Sequence, residues 1–107
     1  MGKIIYNKLV RDRIPEILQQ DGRKYEIARM PDAEFDQALR EKLIEEAQEV
    51  VKADDINLII ELADLQEIII TLLKFHAINS DEFETLRLRR FRERGGFENQ
   101  IRLLWID

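Results

Sequence analysis

Cysteine is absent from this 107-residue sequence, and proline and glycine are scarce, at two and four residues. Without cysteine the chain has neither a disulfide framework nor a thiolate metal site, which suits a reducing compartment. The shortage of helix-breaking residues favours long regular elements over many turns. The single histidine also excludes a ferritin-like di-iron site, because that site needs two E-x-x-H motifs.

Positive charge is in deficit, since the net charge is −5. This balance disfavours binding to nucleic acids or anionic membranes. The N-terminus has no apolar run of signal-peptide length, so we expect no export signal and a cytoplasmic protein. The most apolar stretch, residues 56–73, contains three acidic side chains, which disfavours a membrane span. The length fits a single domain over residues 1–107.

Hydrophobic periodicity predicts an all-α fold built on an antiparallel helical hairpin. The first long helix is expected at about 33–53, with Asp32 as its N-cap and an apolar stripe along one face. The second is expected at about 56–77, where twelve of the first 18 residues are apolar. A short helix from Ile14 and a helix at 80–94, capped by Ser80, flank this hairpin.

Two further features concern the surface of the hairpin. Residues 25–30 alternate weakly and permit a short strand, and the apolar tail 97–107 is expected to pack as a strand against them or across a subunit interface. The second long helix is too apolar for a lone hairpin to cover. We therefore expect a homodimer with a four-helix core, or a dimer of dimers, with an interface lined by Ile68, Ile69, Leu72 and Leu73.

Four acidic residues form two pairs with helical spacing. Glu46 and Glu49 are three residues apart, as are Glu61 and Asp64, so each pair shares a helix face. Folding the chain back near residue 55 brings the two pairs together. Converging carboxylates repel one another unless a cation lies among them, and oxygen ligands suit Mg²⁺ or Mn²⁺. The sequence therefore predicts a divalent metal site on the hairpin.

The alternative interpretation is that these acids lie on helix surfaces, paired with lysine or arginine. Two placements favour the metal site. Glu46 falls inside the apolar stripe of the first long helix, where an acid needs a partner. Glu61 and Asp64 share a narrow polar stripe on an otherwise apolar helix.

Four sequence blocks resemble one protein superfamily. EEAQE at 45–49 and ELAD at 61–64 resemble the EExxE…ExxD signature of the MazG-like all-α nucleoside triphosphate pyrophosphohydrolases. NKLVRDRIP at 7–15 and RGGF at 94–97 resemble segments of a small single-domain branch, similar to phosphoribosyl-ATP pyrophosphohydrolases. The linker of eleven residues between the two acidic motifs is short for the superfamily, so the hairpin is expected to be tight.

The resemblance implies Mg²⁺-dependent hydrolysis of a nucleoside triphosphate to the monophosphate and pyrophosphate, as house-cleaning of non-canonical nucleotides. The metal ligands that it implies are Glu46, Glu49, Glu61 and Asp64. Glu45 and Glu46 are the candidate catalytic residues, which orient the attacking water or accept its proton. Four cations are candidates for binding the substrate's phosphates: Lys8, Arg11, Lys42 and Arg94.

Other functions remain open at this stage. Phosphoribosyl-ATP hydrolysis is the alternative within the same class, and a non-catalytic helical interaction module is the alternative of another class. The arginine run at 87–94 is interpreted as a basic helix end that complements the helix dipole, with phosphate or partner contacts as the alternative. A nucleic-acid binder that uses this run is disfavoured by the negative charge.

Overall fold

Four helices make up the regular structure of residues 2–107, the part of the chain that the computed structural model describes. They are α1 (Ile14–Gln20), α2 (Asp32–Lys52), α3 (Leu58–Phe75) and α4 (Ser80–Arg94). The predicted all-α class is confirmed, and each long helix begins and ends within two residues of its expected bounds. Within residues 2–107 no helix is both long and apolar enough to cross a membrane.

The hairpin of α2 and α3 is the centre of the fold. The apolar stripe of α2 packs against α3, and Leu39 is its most buried side chain, at 4% exposure. Phe35 and Phe75 meet edge to face with ring centroids 5.2 Å apart, a geometry worth about 0.5–1.5 kcal/mol beyond the burial itself. Nearby, His76 Nε2 and Asp36 Oδ1 lie 2.8 Å apart and link the end of α3 to the start of α2.

A tight turn joins the two helices at the other end of the hairpin. The Asp54 carboxylate accepts hydrogen bonds from the backbone N–H of Asn57 at 2.8 Å and from its side-chain amide at 2.9 Å. The Asp54 carbonyl also accepts the N–H of Leu58, at 3.0 Å. The predicted reversal of the chain near residue 55 is thus confirmed, and it lies within the short linker between the two acidic motifs.

The caps of two helices differ from the sequence prediction. Asp32 is the first residue of α2, not its cap, and Pro31 occupies the N-cap position. For α4 the cap is Asn79, whose side-chain oxygen accepts the N–H groups of Asp81 and Glu82 at 2.8 and 3.2 Å, so the expected cap at Ser80 is wrong. Asn79 has extended backbone and precedes the first turn, which is the geometry that a capping side chain requires.

Glycine residues with positive φ follow the C-terminal ends of α1 and α4. Gly22, with φ +71°, donates its N–H to the Gln19 carbonyl and ends the turn after α1. The α4 helix ends at Arg94, as its expected bounds predict, and Gly95, with φ +80°, follows it and donates its N–H to the Phe91 carbonyl at 2.7 Å. A side chain at either position would be strained, because L-residues rarely adopt positive φ.

The predicted minor β element is absent from the described residues. Residues 25–30 and the tail 97–107 are irregular, and neither pairs with the other. The tail's apolar side chains are open to solvent, with Phe97 96% and Trp105 79% exposed. A strand needs a neighbour for its backbone hydrogen bonds, and residues 2–107 of the single chain offer the tail none.

The molecule is elongated because α4 and the tail do not pack along the hairpin. The radius of gyration is 18.6 Å, against about 13 Å for a compact domain of this length. The longest dimension is 60 Å, whereas α2 by itself is only about 32 Å long. The hairpin is therefore the only part of the described chain with a shared interior.

Candidate metal centre

Three carboxylates converge on the hairpin. Glu46 of α2 and Glu61 and Asp64 of α3 each present an oxygen atom, and these oxygens all lie within 4.8 Å of one another. Glu61 and Asp64 are three residues apart and therefore share the face of α3 that meets α2. Glu46 lies between Leu43 and Val50 on the packing face of α2. All three acids are half-buried, so the apolar contact that forms the hairpin also brings them together.

The electrostatics of this cluster are unfavourable in the metal-free chain. Burial raises the pKa of the Glu46 carboxyl above its ordinary value, and the negative charges of Asp64, Glu61 and Glu45 add to that rise. The ammonium of Lys42 opposes it. A carboxyl with a raised pKa is one that gains from a nearby cation, because the cation favours its ionised form.

Cations from the N-terminal segment border the acids. Arg11 Nη1 binds Asp64 Oδ1 at 3.1 Å, a contact between residues 53 apart in sequence. Lys8 Nζ lies 3.6 Å from Glu45 Oε1, and Lys42 Nζ lies 3.7 Å from Glu45 Oε2. The structure therefore gathers three of the four predicted phosphate-binding cations at this cluster. These contacts are largely exposed, so they position the segment more than they stabilise the fold.

Glu45 lies beside the cluster without joining it. It precedes Glu46 on α2 and lies between Lys8 and Lys42, which hold its two oxygens. This position is compatible with a residue that orients water next to a metal, and it leaves Glu46, Glu61 and Asp64 as the converging set.

Two predicted site residues stand apart. Glu49 is exposed on α2 and is not among the three converging carboxylates. Arg94 is exposed at the end of α4, and no hydrogen bond or ion pair between described residues joins it to the cluster. Glu49 is only one turn from Glu46, whereas Arg94 belongs to a helix that does not pack along the hairpin.

The contact that sequence reasoning missed lies away from the acids. His76 binds Asp36, and Arg40 Nε binds the same carboxylate at 3.2 Å. The hydrogen bond from His76, with that from Arg40 behind it, lowers the pKa of Asp36. Only the spacing of Asp36 and Arg40 gave a local signal, because His76 is 40 residues distant in sequence.

The donor chemistry of the cluster fits a hard divalent cation. Three carboxylate oxygens from separate residues match the preference of Mg²⁺ for oxygen ligands. Mg²⁺ takes about six ligands and keeps several waters, so three protein oxygens leave positions for water and phosphate. Neither nitrogen nor sulfur donors belong to the set, which disfavours zinc and copper.

Comparison with known proteins gives this site no relative. A scan against protein-family models, a search of curated proteins and a search of solved structures each found no match. The functional interpretation therefore rests on the converging carboxylates, the bordering cations and the motif spacing of the chain itself.

Proposed function

We propose that this protein hydrolyses a nucleoside triphosphate to the monophosphate and pyrophosphate with the help of Mg²⁺, as house-cleaning of non-canonical nucleotides. The observation that carries the proposal is the convergence of Glu46, Glu61 and Asp64 within 4.8 Å of one another. Arg11 and Lys8 border these acids and supply positive charge at the same place. Acids and cations side by side suit a substrate that arrives as a metal–polyphosphate complex.

The acids would hold the metal, and the metal supplies the chemistry that they lack. A bound Mg²⁺ neutralises phosphate oxygens and activates a water molecule. Glu46, Glu61 and Asp64 are the ligands for it on this chain. The hairpin holds their oxygens at fixed separations, since both helices are anchored by packed apolar residues and by the Asp54 turn.

The residues around the metal ligands accept the proton of the attacking water and neutralise the charge of the phosphates. Glu45 is the base in this proposal, because its carboxylate adjoins the cluster and Lys42, one turn earlier on α2, fixes its orientation. Lys8 and Arg11 form exposed ion pairs that cost little to break. A phosphate oxygen can therefore replace the carboxylate as their partner.

We also propose that the working form is a homodimer or a dimer of dimers. The chain exposes 10417 Å², about 4,000 Å² more than the roughly 6,300 Å² of a compact 12.8 kDa monomer. Obligate dimers bury roughly 2,000–5,000 Å² in total, or about 1,000–2,500 Å² on each chain, so a second copy accounts for a large part of this surplus and a dimer of dimers for more. The exposed apolar residues of α3, among them Ile59 and Ile60, are the surface that such a partner would cover.

Pyrophosphate release tests the function. The protein is assayed with Mg²⁺ across normal, deoxy, oxidised and methylated nucleoside triphosphates, and Glu61→Gln is compared with Glu67→Gln. We expect release from one or a few substrates and a loss of at least about 100-fold in Glu61→Gln, because even changes behind a metal ligand cost about 10–100-fold. Glu67→Gln removes the same charge from an exposed position on α3 and is expected to keep the activity.

Other outcomes distinguish the alternatives. Mg²⁺ should raise the melting temperature of the wild type and leave that of Glu61→Gln unchanged. A clear Mg²⁺ effect without release from any triphosphate would favour a different substrate, with phosphoribosyl-ATP tested next. Neither release nor a Mg²⁺ effect would reject the proposal and leave a non-catalytic helical interaction module.

A further inference from the structure

The basic end of α4 has no partner in the described part of its own chain that accounts for its charge. Five arginines and one glutamate give residues 87–94 a net charge of +4, so the rest of the chain carries −9. Among residues 2–107 only Arg87 of this run forms an ion pair, with Glu84 on the same helix. The remaining four arginines are exposed and unpaired there: Arg89, Arg90, Arg92 and Arg94.

These arginines divide between two faces of α4. At about 100° per residue, Arg90 and Arg94 lie within roughly 20° of Phe83 around the helix axis. Arg89 and Arg92 lie at least about 120° away from Phe83. One face of α4 therefore carries Phe83 and Leu86 in its first half and arginines in its second, which is the pattern of a helix that docks on an apolar and acidic surface.

The candidate metal centre has such a surface, and every described cation that borders it is paired with a carboxylate. Its cations are already engaged with carboxylates: Lys8 and Lys42 with Glu45, and Arg11 with Asp64. A triphosphate brings several further negative charges. If Lys8 or Arg11 turns to a phosphate oxygen, it leaves a carboxylate of the site without its cation, so further positive charge is needed there. The α2–α3 hairpin, residues 32–75, is also acidic, with twelve acids against four bases. Exposed apolar side chains flank Glu61, as Ile60 and Leu62.

The α4 helix does not bring its arginines to the metal centre of its own chain. The α4 helix does not pack along α2 or α3. It extends away from them, and the longest dimension of the molecule is therefore 60 Å. The surplus of about 4,000 Å² of exposed surface gives a second copy the area to dock on. The α4 helix of a second copy can therefore cover the surface around the metal centre, which the chain's own α4 leaves exposed.

We infer that the arginine face of α4 in one copy completes the metal centre of a second copy. Arg90 and Arg94 then contact the phosphates of the nucleotide bound by the other protomer, while Phe83 and Leu86 lie on the apolar surface beside Glu61. The inference rests on the proposed function and adds a specific source for the missing positive charge. It assigns Arg90 and Arg94 a substrate-binding role between subunits, beyond the match of the arginine run to a helix dipole.

Subunit mixing tests this arrangement. Arg90→Gln/Arg94→Gln is the test variant, and Arg89→Gln/Arg92→Gln is the control with the same charge change on the opposite face of α4. We expect the test variant to lose at least about 100-fold in pyrophosphate release and the control to stay within about twofold of wild type. All four positions are exposed, so both variants should fold.

The decisive sample is a 1:1 mixture of Arg90→Gln/Arg94→Gln with Glu61→Gln, unfolded and refolded together. Random pairing into dimers yields one intact site in four, so activity should return to about a quarter of the wild-type rate. Each variant refolded separately should stay inactive. No recovery in the mixture, or full activity of Arg90→Gln/Arg94→Gln, would overturn the inference.

Failure of the proposed function gives a different result, because wild-type protein would then release no pyrophosphate. In that event the same four proteins and the mixture are titrated with inorganic pyrophosphate and Mg²⁺ in a calorimeter. The inference expects weak binding by the test variant and about a quarter of the wild-type stoichiometry in the mixture. Equal binding by the test and control variants, or no binding by wild type, would overturn it.

Discussion

The Glu46 carboxylate occupies a position that favours apolar side chains. It follows Leu43 on the packing face of α2 and meets Glu61 and Asp64 across the hairpin. Burial and the neighbouring acids raise its pKa, so the ionised form opposes folding while no cation is bound. A bound metal would change the effect of ionised Glu46 on the stability of the fold from unfavourable to favourable, which accounts for an acid at this position.

Glu46→Gln should therefore stabilise the metal-free protein. In EDTA at neutral pH we expect the melting temperature to rise by about 2–5 °C, because the amide removes a charge that the cluster repels. The pKa of Glu46 is higher in the folded than in the unfolded protein. The free-energy cost of folding with an ionised Glu46 is therefore fully present at pH values above the folded pKa, and it disappears below the unfolded pKa. The gain should shrink as pH falls through that range, and thermal melts from pH 7 to pH 4 measure it.

The control for this prediction is Glu49→Gln, one turn further along α2. Glu49 is exposed and outside the converging set, so its substitution should change the metal-free melting temperature little. With Mg²⁺ present, Glu46→Gln should lose the metal-induced rise that wild type gains. A lower metal-free melting temperature for Glu46→Gln would contradict the idea that ionised Glu46 is a source of repulsion.

At this scale helical spacing predicted the acids, whereas the N-terminal cations were predicted from the motif resemblance alone. Glu46, Glu61 and Asp64 converge because helical spacing and a short turn determine where they lie. No periodicity links Arg11 to Asp64 across 53 residues, and only the motif resemblance marked Arg11. Glu49 shares the spacing of a ligand, yet its direction on α2 places it outside the set.

Among the elements, α4 is the helix with the least tertiary support. It has 15 residues and no packing layer with the hairpin, and isolated helices of this length are marginal in water. Its ends therefore matter more than those of α2 and α3, which are held by packing. Asn79 caps the first turn and Gly95 ends the last.

Asn79→Ala should fray the start of α4. Loss of the two hydrogen bonds to the N–H groups of Asp81 and Glu82 costs about 1 kcal/mol, which corresponds to roughly fivefold faster amide exchange in the first turn. Hydrogen–deuterium exchange over residues 80–84 measures it. Ser80→Ala is the control, because Ser80 forms no capping bond and should leave exchange there nearly unchanged. Equal effects of both substitutions would contradict the assignment of the cap.

Elements with an apolar stripe or a helix-ending glycine were predictable from the sequence. Segments whose structure depends on packing against another surface were not. The apolar stripe of α2 and the apolar run of α3 specified the hairpin, and Gly95 specified the end of α4. The tail at 97–107 has the composition of a buried strand but remains irregular and exposed. Composition indicates that a segment should be covered, but it does not say by which surface.

For the whole molecule, the distribution of exposed apolar residues is uneven. They are densest on α4, the tail and the start of α3, and others lie on the N-terminal segment, such as Ile5, and at the end of α2, such as Val51. Isolated apolar residues on a surface are ordinary, but a continuous series of this extent marks an interface. The expected interface residues Leu72 and Leu73 are half-buried, and together with Arg40, Leu43, His76 and Ile78 they line an open groove of about 490 Å³.

A second copy that covers these residues should protect Trp105, the only tryptophan of the chain, which is 79% exposed in the single chain. We expect Trp105 fluorescence to be shielded from a soluble quencher at micromolar protein concentration. Dilution to nanomolar concentration should remove the protection, because dissociation returns the tail to solvent. Sedimentation over the same range should show the dimer give way to the monomer.

Ile59→Glu separates assembly from folding. Ile59 is 74% exposed on the face of α3 that points away from α2, so the hairpin itself should tolerate a charge there. In a dimer that buries this face the unpaired carboxylate should weaken association by at least about a hundredfold and expose Trp105 at micromolar concentration. Ala33→Glu introduces the same charge at an exposed position in the first turn of α2 and should leave the dimer intact. A wild-type protein that sediments as a monomer with fully quenchable Trp105 would show that the apolar surface serves a partner other than a second copy.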